Sequence, residues 1–204
     1  MTRPVGAVVA LLVLLVGCSS EPASDAPPET TTTTAAPSTT APPTTPSTTT
    51  APARSDREPD WTAEQQPVVD AYHAYWDAYF DAFTEPVDPD NAALVATTSE
   101  SFFADISANL EASEVAGEAA RFPEGSIYES WVLEVNLIDG GTRAAVRSCM
   151  VNDGVVYDIQ SGETVDDSVV TRLRDGLMIK QGEQWVVDQL VTQAEWLGVD
   201  GCAK

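Results

Sequence analysis

The sequence predicts an α+β domain, with N-terminal helices packed on a curved antiparallel sheet, behind a disordered tether. Three observations predict it. All five Trp, all five Tyr and all five Phe stand at or after Trp61, and the stretch before it holds no aromatic ring. In the first half of the aromatic-bearing part, apolar residues recur every three or four positions, the period of a helix. In the second half they alternate between Gly-containing turn signals, as strands of a meander do. Helices first and strands afterwards segregate into layers of α+β type.

The elements follow in chain order. Met1-Thr2-Arg3 is a short basic start, and Val5 to Val16 is an apolar run interrupted only by Gly6. At about 1.5 Å per residue such a run is too short to cross ~30 Å of hydrocarbon comfortably, and it has the length of a signal-peptide core. Leu15-Val16-Gly17-Cys18 resembles a bacterial lipobox. That resemblance implies a leader over residues 1–17, cleavage before Cys18, and lipidation of the Cys18 thiol with diacylglyceryl and palmitate-type chains. Several acyl chains make a stable anchor where one is marginal. Residues 18–60 read as the tether: Pro22 to Pro52 is almost entirely Thr, Ser, Ala and Pro. No side chain there is large enough to offset the entropy of ordering the chain. Proline keeps such a spacer extended, at about 3.1 Å per residue.

The domain is expected over residues 61–204. Asp60 or Thr62 is positioned to cap a first helix, with Pro67 in its first turn. Val69, Tyr72, Tyr75/Trp76, Tyr79/Phe80 and Phe83 form its apolar stripe, and Asp70, His73 and Asp77 its polar side. Asp88-Pro89 is read as the cap of a short helix through Ala96. A third helix runs from Ser99 to Ala116, with Phe102, Phe103, Ile106 and Leu110 inward and Gly117 as its stop. Trp131, Leu133, Val135 and Leu137 alternate with Val132, Glu134, Asn136 and Ile138 as the first strand. Asp139-Gly140-Gly141, Asn152-Asp153-Gly154 and Ser161-Gly162-Glu163 are hairpin turn signals, flanking strands at Thr142–Val151 and Val155–Ile159. Val169–Lys180 and Gln184–Val191 form a last hairpin.

Helices followed by a long antiparallel sheet resemble the cone-shaped nuclear transport factor 2-like superfamily. The segments AYHAYWDAYFDAF and KQGEQWVVDQL resemble small actinobacterial lipoproteins of that fold. The superfamily includes ketosteroid isomerase, scytalone dehydratase and polyketide cyclases beside many non-catalytic members. The resemblance therefore implies two readings. One is a lipid-anchored module on the extracytoplasmic face of the cell membrane, binding an envelope protein or small ligand. The other is an isomerase- or dehydratase-like enzyme with an Asp/Tyr pair in the pocket.

Composition narrows the chemistry. The 204 residues carry 32 Asp+Glu against 10 Lys+Arg, a formal net charge of −22. That excludes nucleic acid, whose phosphates need a basic footprint. One His and three Cys leave too few ligands for a His/Cys zinc site. No cofactor and no metal site are expected; Asp88-Pro89-Asp90-Asn91 and Asp166-Asp167 lack the calcium-loop pattern. With Cys18 lipidated, Cys149 and Cys202 remain, and an oxidising compartment favours their disulfide. His73 reads as part of a solvated helix face. The candidate pocket is Tyr72, Tyr75, Trp76, Tyr79, Trp131 and Tyr157, with Asp153, Asp158 and Asp188 the acids within reach of the sheet. No residue is singled out as catalytic. Arg143, Arg147, Arg172 and Arg174 either pair with acids across strands or face an anionic ligand.

Overall fold

A computed structural model describes residues 57–202. The expected leader, the Cys18 modification and the spacer up to residue 56 lie outside the described residues. The chain runs α1 (Gln66–Phe83), α2 (Ala92–Thr97), α3 (Glu100–Ala116), β1 (Glu118–Arg121), β2 (Glu129–Ile138), a 3-10 turn (Asp139–Gly141), β3 (Arg143–Asn152), β4 (Val155–Asp158), β5 (Thr164–Asp166), β6 (Val170–Gln181) and β7 (Gln184–Leu197). Helices and antiparallel strands therefore segregate as the α+β reading requires.

α2 and α3 start where a side chain takes an orphan backbone N–H, and a side-chain-bonded turn leads into α1. Thr62 and Gln65 cap one another across a turn: Thr62 N–H donates to Gln65 Oε1 and Gln65 N–H to Thr62 Oγ1. Pro67 then sits in the first turn of α1. Asn91, not Asp88, caps α2, its Oδ1 accepting from Ala93 and Leu94 N–H. Asp88 instead closes the preceding turn through Asp90 N–H, because Pro89 and Asp90 intervene before helical geometry begins. Ser99 caps α3 through Phe102 N–H, and Gly117 ends it at φ 72°, where a side chain is strained.

The strands do not make one meander. β2-β3-β6-β7 form a four-stranded sheet, and β1-β4-β5 a separate three-stranded one. β1 and β5 carry no alternation long enough to show in the sequence. Asn152-Asp153-Gly154 is accordingly no hairpin: the chain leaves β3 there and enters the other sheet, where β4 pairs with β1. β7 also continues past Val191 to Leu197, paired with β6 along its length apart from register shifts at Asp188 and Gln193.

A bulge in β2 overturns the expected alternation. The register shifts between Val132 and Glu134, so Leu133 is inserted without a partner. Beyond it every side chain changes face. Val132 and Val135 consequently share the main core, while Trp131 lies on the far face with Cys149 and Val151. The main core packs α1 and α3 against β2, β3, β6 and β7. On the far face, Cys202 is disulfide-bonded to Cys149 with their Cα atoms 6.3 Å apart. Thr171 Oγ1 donates to Gly198 O at 2.6 Å and holds the turn that brings the tail back.

Described residues ahead of Trp61 also pack on the domain. Arg57 lies 4.7 Å from the centroid of the Trp131 ring, and Glu58 Oε1 accepts from Val132 N–H at 2.7 Å. Gln65 Nε2 donates to Val135 O at 2.9 Å. These contacts occupy polar groups on the outer edge of β2, which would otherwise invite strand addition.

Candidate functional site

The site starts with the spacing on α1. Tyr75, Trp76, Tyr79, Phe80 and Phe83 recur at three- and four-residue steps, so their rings emerge on one helix face. Trp76 and Phe80 stack at 5.8 Å, and Tyr128 meets Phe80 edge-on at 4.6 Å. Opposite them, Arg172 and Arg174 are two apart on β6 and therefore project to the same face. Leu190 and Thr192 of β7, and Phe102, Ile106 and Asn109 of α3, also line a cavity of about 460 Å³, whose wall continues through Ala120, Phe122 and Val156.

Of the six candidate pocket residues, Tyr75, Trp76 and Tyr79 line this cavity. The other three do not. Tyr72 is fully buried behind it, where its hydroxyl shares a 2.6 Å hydrogen bond with Ser148. Burial raises the Tyr72 phenol's pKa although the bond to Ser148 pulls it back, and burial raises those of Tyr75 and Tyr79 as well. All three are neutral donors at physiological pH. Trp131 is on the opposite face of the sheet because of the β2 bulge. Tyr157 sits away from the cavity, donating to Glu85 Oε2 at 2.7 Å beneath the Arg121 guanidinium.

The arginines divide into paired and unpaired. Arg147 forms a two-pronged pair with Asp175 at 2.7 and 2.9 Å, Arg143 reaches Asp139 at 3.2 Å, and Arg172 reaches Glu195 at 2.6 Å. Arg174 differs. Among the described residues no carboxylate forms an ion pair with it, its Nε is buried without a hydrogen-bond partner, and its guanidinium carbon lies 4.3 Å from the centroid of the Trp76 ring. Stacking on a desolvated Trp is worth about 2 kcal/mol. Desolvating a cation costs several kcal/mol. Burial, with the nearby Arg172 charge, lowers the Arg174 pKa from its ordinary value.

The cavity's carboxylates, Asp105 and Asp166, are both exposed. Hydrogen bonds from Ser168 hold Asp166 below the usual carboxylate range. Asp153 and Asp158 serve turns: Asp153 accepts from Ser126 and from Ile127 N–H, and Asp158 from Ser161. Asp188 is not among the lining residues. No group of three or more His, Cys, Asp or Glu gathers for a metal among the described residues.

His73 is not on a solvated face. Its Nε2 lies 2.6 Å from Glu58 Oε1, and the Glu58 side chain is 5% exposed. Burial pushes the Glu58 carboxyl up, but the hydrogen bonds from His73 and from Val132 N–H outweigh it and leave the pKa lowered. This pair was invisible in the sequence because Glu58 stands in the segment that reads as tether. Asn109 and Leu190 were also missed; only their place opposite α1 distinguishes them from any other helix or strand residue.

No protein-family model matches the chain, and no curated protein matches it. Solved structures do. The intermembrane-space region of the chloroplast protein ARC6 is 14% identical with a TM-score of 0.54, covering 67% of this chain and 99% of that one. A candidate polyketide cyclase from Pseudomonas putida KT2440 is 16% identical over 59% of this chain and 88% of its own, with a TM-score of 0.31. Another from Xanthomonas campestris pv. campestris is 15% identical over 62% and 93%, also at 0.31. The α+β fold is thus one that this chain shares with the ARC6 intermembrane-space region.

Proposed function

We propose that this chain is a lipid-anchored binding protein of the cell envelope whose domain, of nuclear transport factor 2-like type, takes a small ligand between α1 and β6. One observation carries the reading: a cavity of about 460 Å³ walled by aromatic rings from α1 and α3. Cavities of roughly 300–1,000 Å³ with apolar walls and a few placed polar groups are the usual form of small-molecule sites. The tyrosines supply neutral donors and the rings an apolar wall. Proton transfer would need a carboxylate matched to its task beside a Tyr. Exposed Asp105 and Asp166 are poorly suited, which favours binding without turnover.

The leader, Cys18 and the Thr/Pro spacer support presentation outside the membrane. Cys18→Ser is expected to shift the protein from the membrane fraction to the soluble one and to abolish acyl labelling. The cavity is tested with the neutral apolar dye N-phenyl-1-naphthylamine and the full chain. Saturable fluorescence enhancement at one site, lost in Ile106→Trp, is the expected result. Dye binding that Ile106→Trp leaves unchanged removes the cavity from the account. Exchange of a carbonyl ligand's α-hydrogens, read by NMR, would establish the enzyme reading instead.

A further inference from the structure

Resting on the cavity reading, we propose that the ligand is an organic monoanion with an apolar body, its carboxylate held by the Arg174 guanidinium. The cavity carries an anion receptor that the fold leaves unfilled. Arg143, Arg147 and Arg172 each have an acid within 3.2 Å, whereas Arg174 has none among the described residues. Its buried Nε lacks an acceptor, and its guanidinium carbon lies 4.3 Å from the centroid of the Trp76 ring. A planar fork of donors fits a carboxylate in two parallel bonds. In so acidic a chain, with a net charge of −22, an acid partner would be easy to supply; its absence leaves the guanidinium's acceptor to come from a ligand.

The surroundings set the rest of the molecule's chemistry. Tyr75, Phe80, Phe102 and Ile106 offer apolar walls for its body. Arg172, two residues away, gives its Nε to Glu195, so its charge is partly engaged and it adds positive potential beside Arg174. Asp105 and Asp166 lie along the exposed part of the lining and repel a second negative charge. A single carboxylate on an aromatic or branched apolar body satisfies all three conditions.

The test uses the full chain and a matched pair of probes, 4-phenylbutyrate and 4-phenylbutyramide, each titrated calorimetrically and by displacement of N-phenyl-1-naphthylamine. The carboxylate is expected to bind about 10- to 100-fold more tightly than the amide, the usual worth of a charge-assisted hydrogen bond. Arg174→Gln should bring the affinities of the two probes within about threefold of each other, and Arg174→Lys should restore part of the preference. Equal affinity for both probes in the wild type, with dye still displaced, overturns the anion assignment and leaves the cavity reading standing. A carboxylate preference that survives in Arg174→Gln overturns it as well. If neither dye nor probe binds, the cavity reading and this proposal fall together. The wild-type comparison of the two probes holds whether or not the variants fold.

Discussion

Two arginines on neighbouring strands meet opposite fates. Arg147 is exposed and doubly bonded to Asp175, directly across the sheet in register. Arg174, one residue earlier than Asp175, turns to the other face, where its guanidinium lies over the Trp76 ring. Their stability effects should differ accordingly. Arg147→Met is expected to lower the urea midpoint only slightly, as loss of an exposed pair does. Arg174→Met should leave the urea midpoint unchanged or higher, because it removes a cation with no ion pair in the fold. Glu58 gives a pH signature. Its folded pKa lies below the ordinary carboxylate value, so its stabilisation is complete above that ordinary value and is lost as the pH falls through the lowered one. Glu58→Gln should therefore flatten the stability profile below about pH 5 and cost about 1–3 kcal/mol at neutral pH. Urea unfolding across that range checks both.

At the scale of elements, local chemistry decides where helices begin and long-range pairing decides what strands do. Asn91 accepts from two N–H groups of α2, so Asn91→Ala is expected to cost about 1 kcal/mol in a denaturant midpoint. Asp88→Ala, at the position first read as the cap, should cost less. Tyr72, Trp76 and Phe83 were legible in α1 because its period follows from 3.6 residues per turn and needs no partner. The face of Trp131 was not. Leu133 is apolar like its neighbours, and nothing in the local pattern marks it as the inserted residue. Its role exists only because β3 offers Ser148 to Val132 and Arg147 to Glu134 with nothing between. β1 and β5 are short for the same reason: their partners, not their own alternation, make them strands.

For the whole molecule, the bond between Cys149 and Cys202 closes a span of 53 residues that contains β4, β5, β6 and β7. Constraining a loop of that length in the unfolded chain is worth about 4 kcal/mol. Reduction should lower the melting temperature and expose the C-terminus to protease; an unchanged melting curve with free thiols confirmed by mass would contradict it. The tail reaches Cys149 because Gly201 passes tightly over Trp196 and Thr171. A Cβ there would stand 2.5 Å from Trp196 Cε3 and 2.8 Å from Thr171 Cβ. Gly201→Ala is therefore expected to destabilise by about 1–3 kcal/mol, in the manner of other overpacked sites.

Read alone, the sequence determined the α+β class, the helix stops, most turns and the aromatic face of α1. These follow from periodicity, capping and the backbone freedom of glycine, all properties of a few neighbouring residues. It also carried Arg174 as one of four arginines able either to pair or to face an anion, with no means of choosing. Only the tertiary structure made that choice. Asp175 and Glu195 took Arg147 and Arg172 across strands, while the register that turned Arg174 toward Trp76 left it without an acid among the described residues. Burial and ion pairing are properties of neighbours brought together from distant positions, and no local pattern encodes which neighbour arrives.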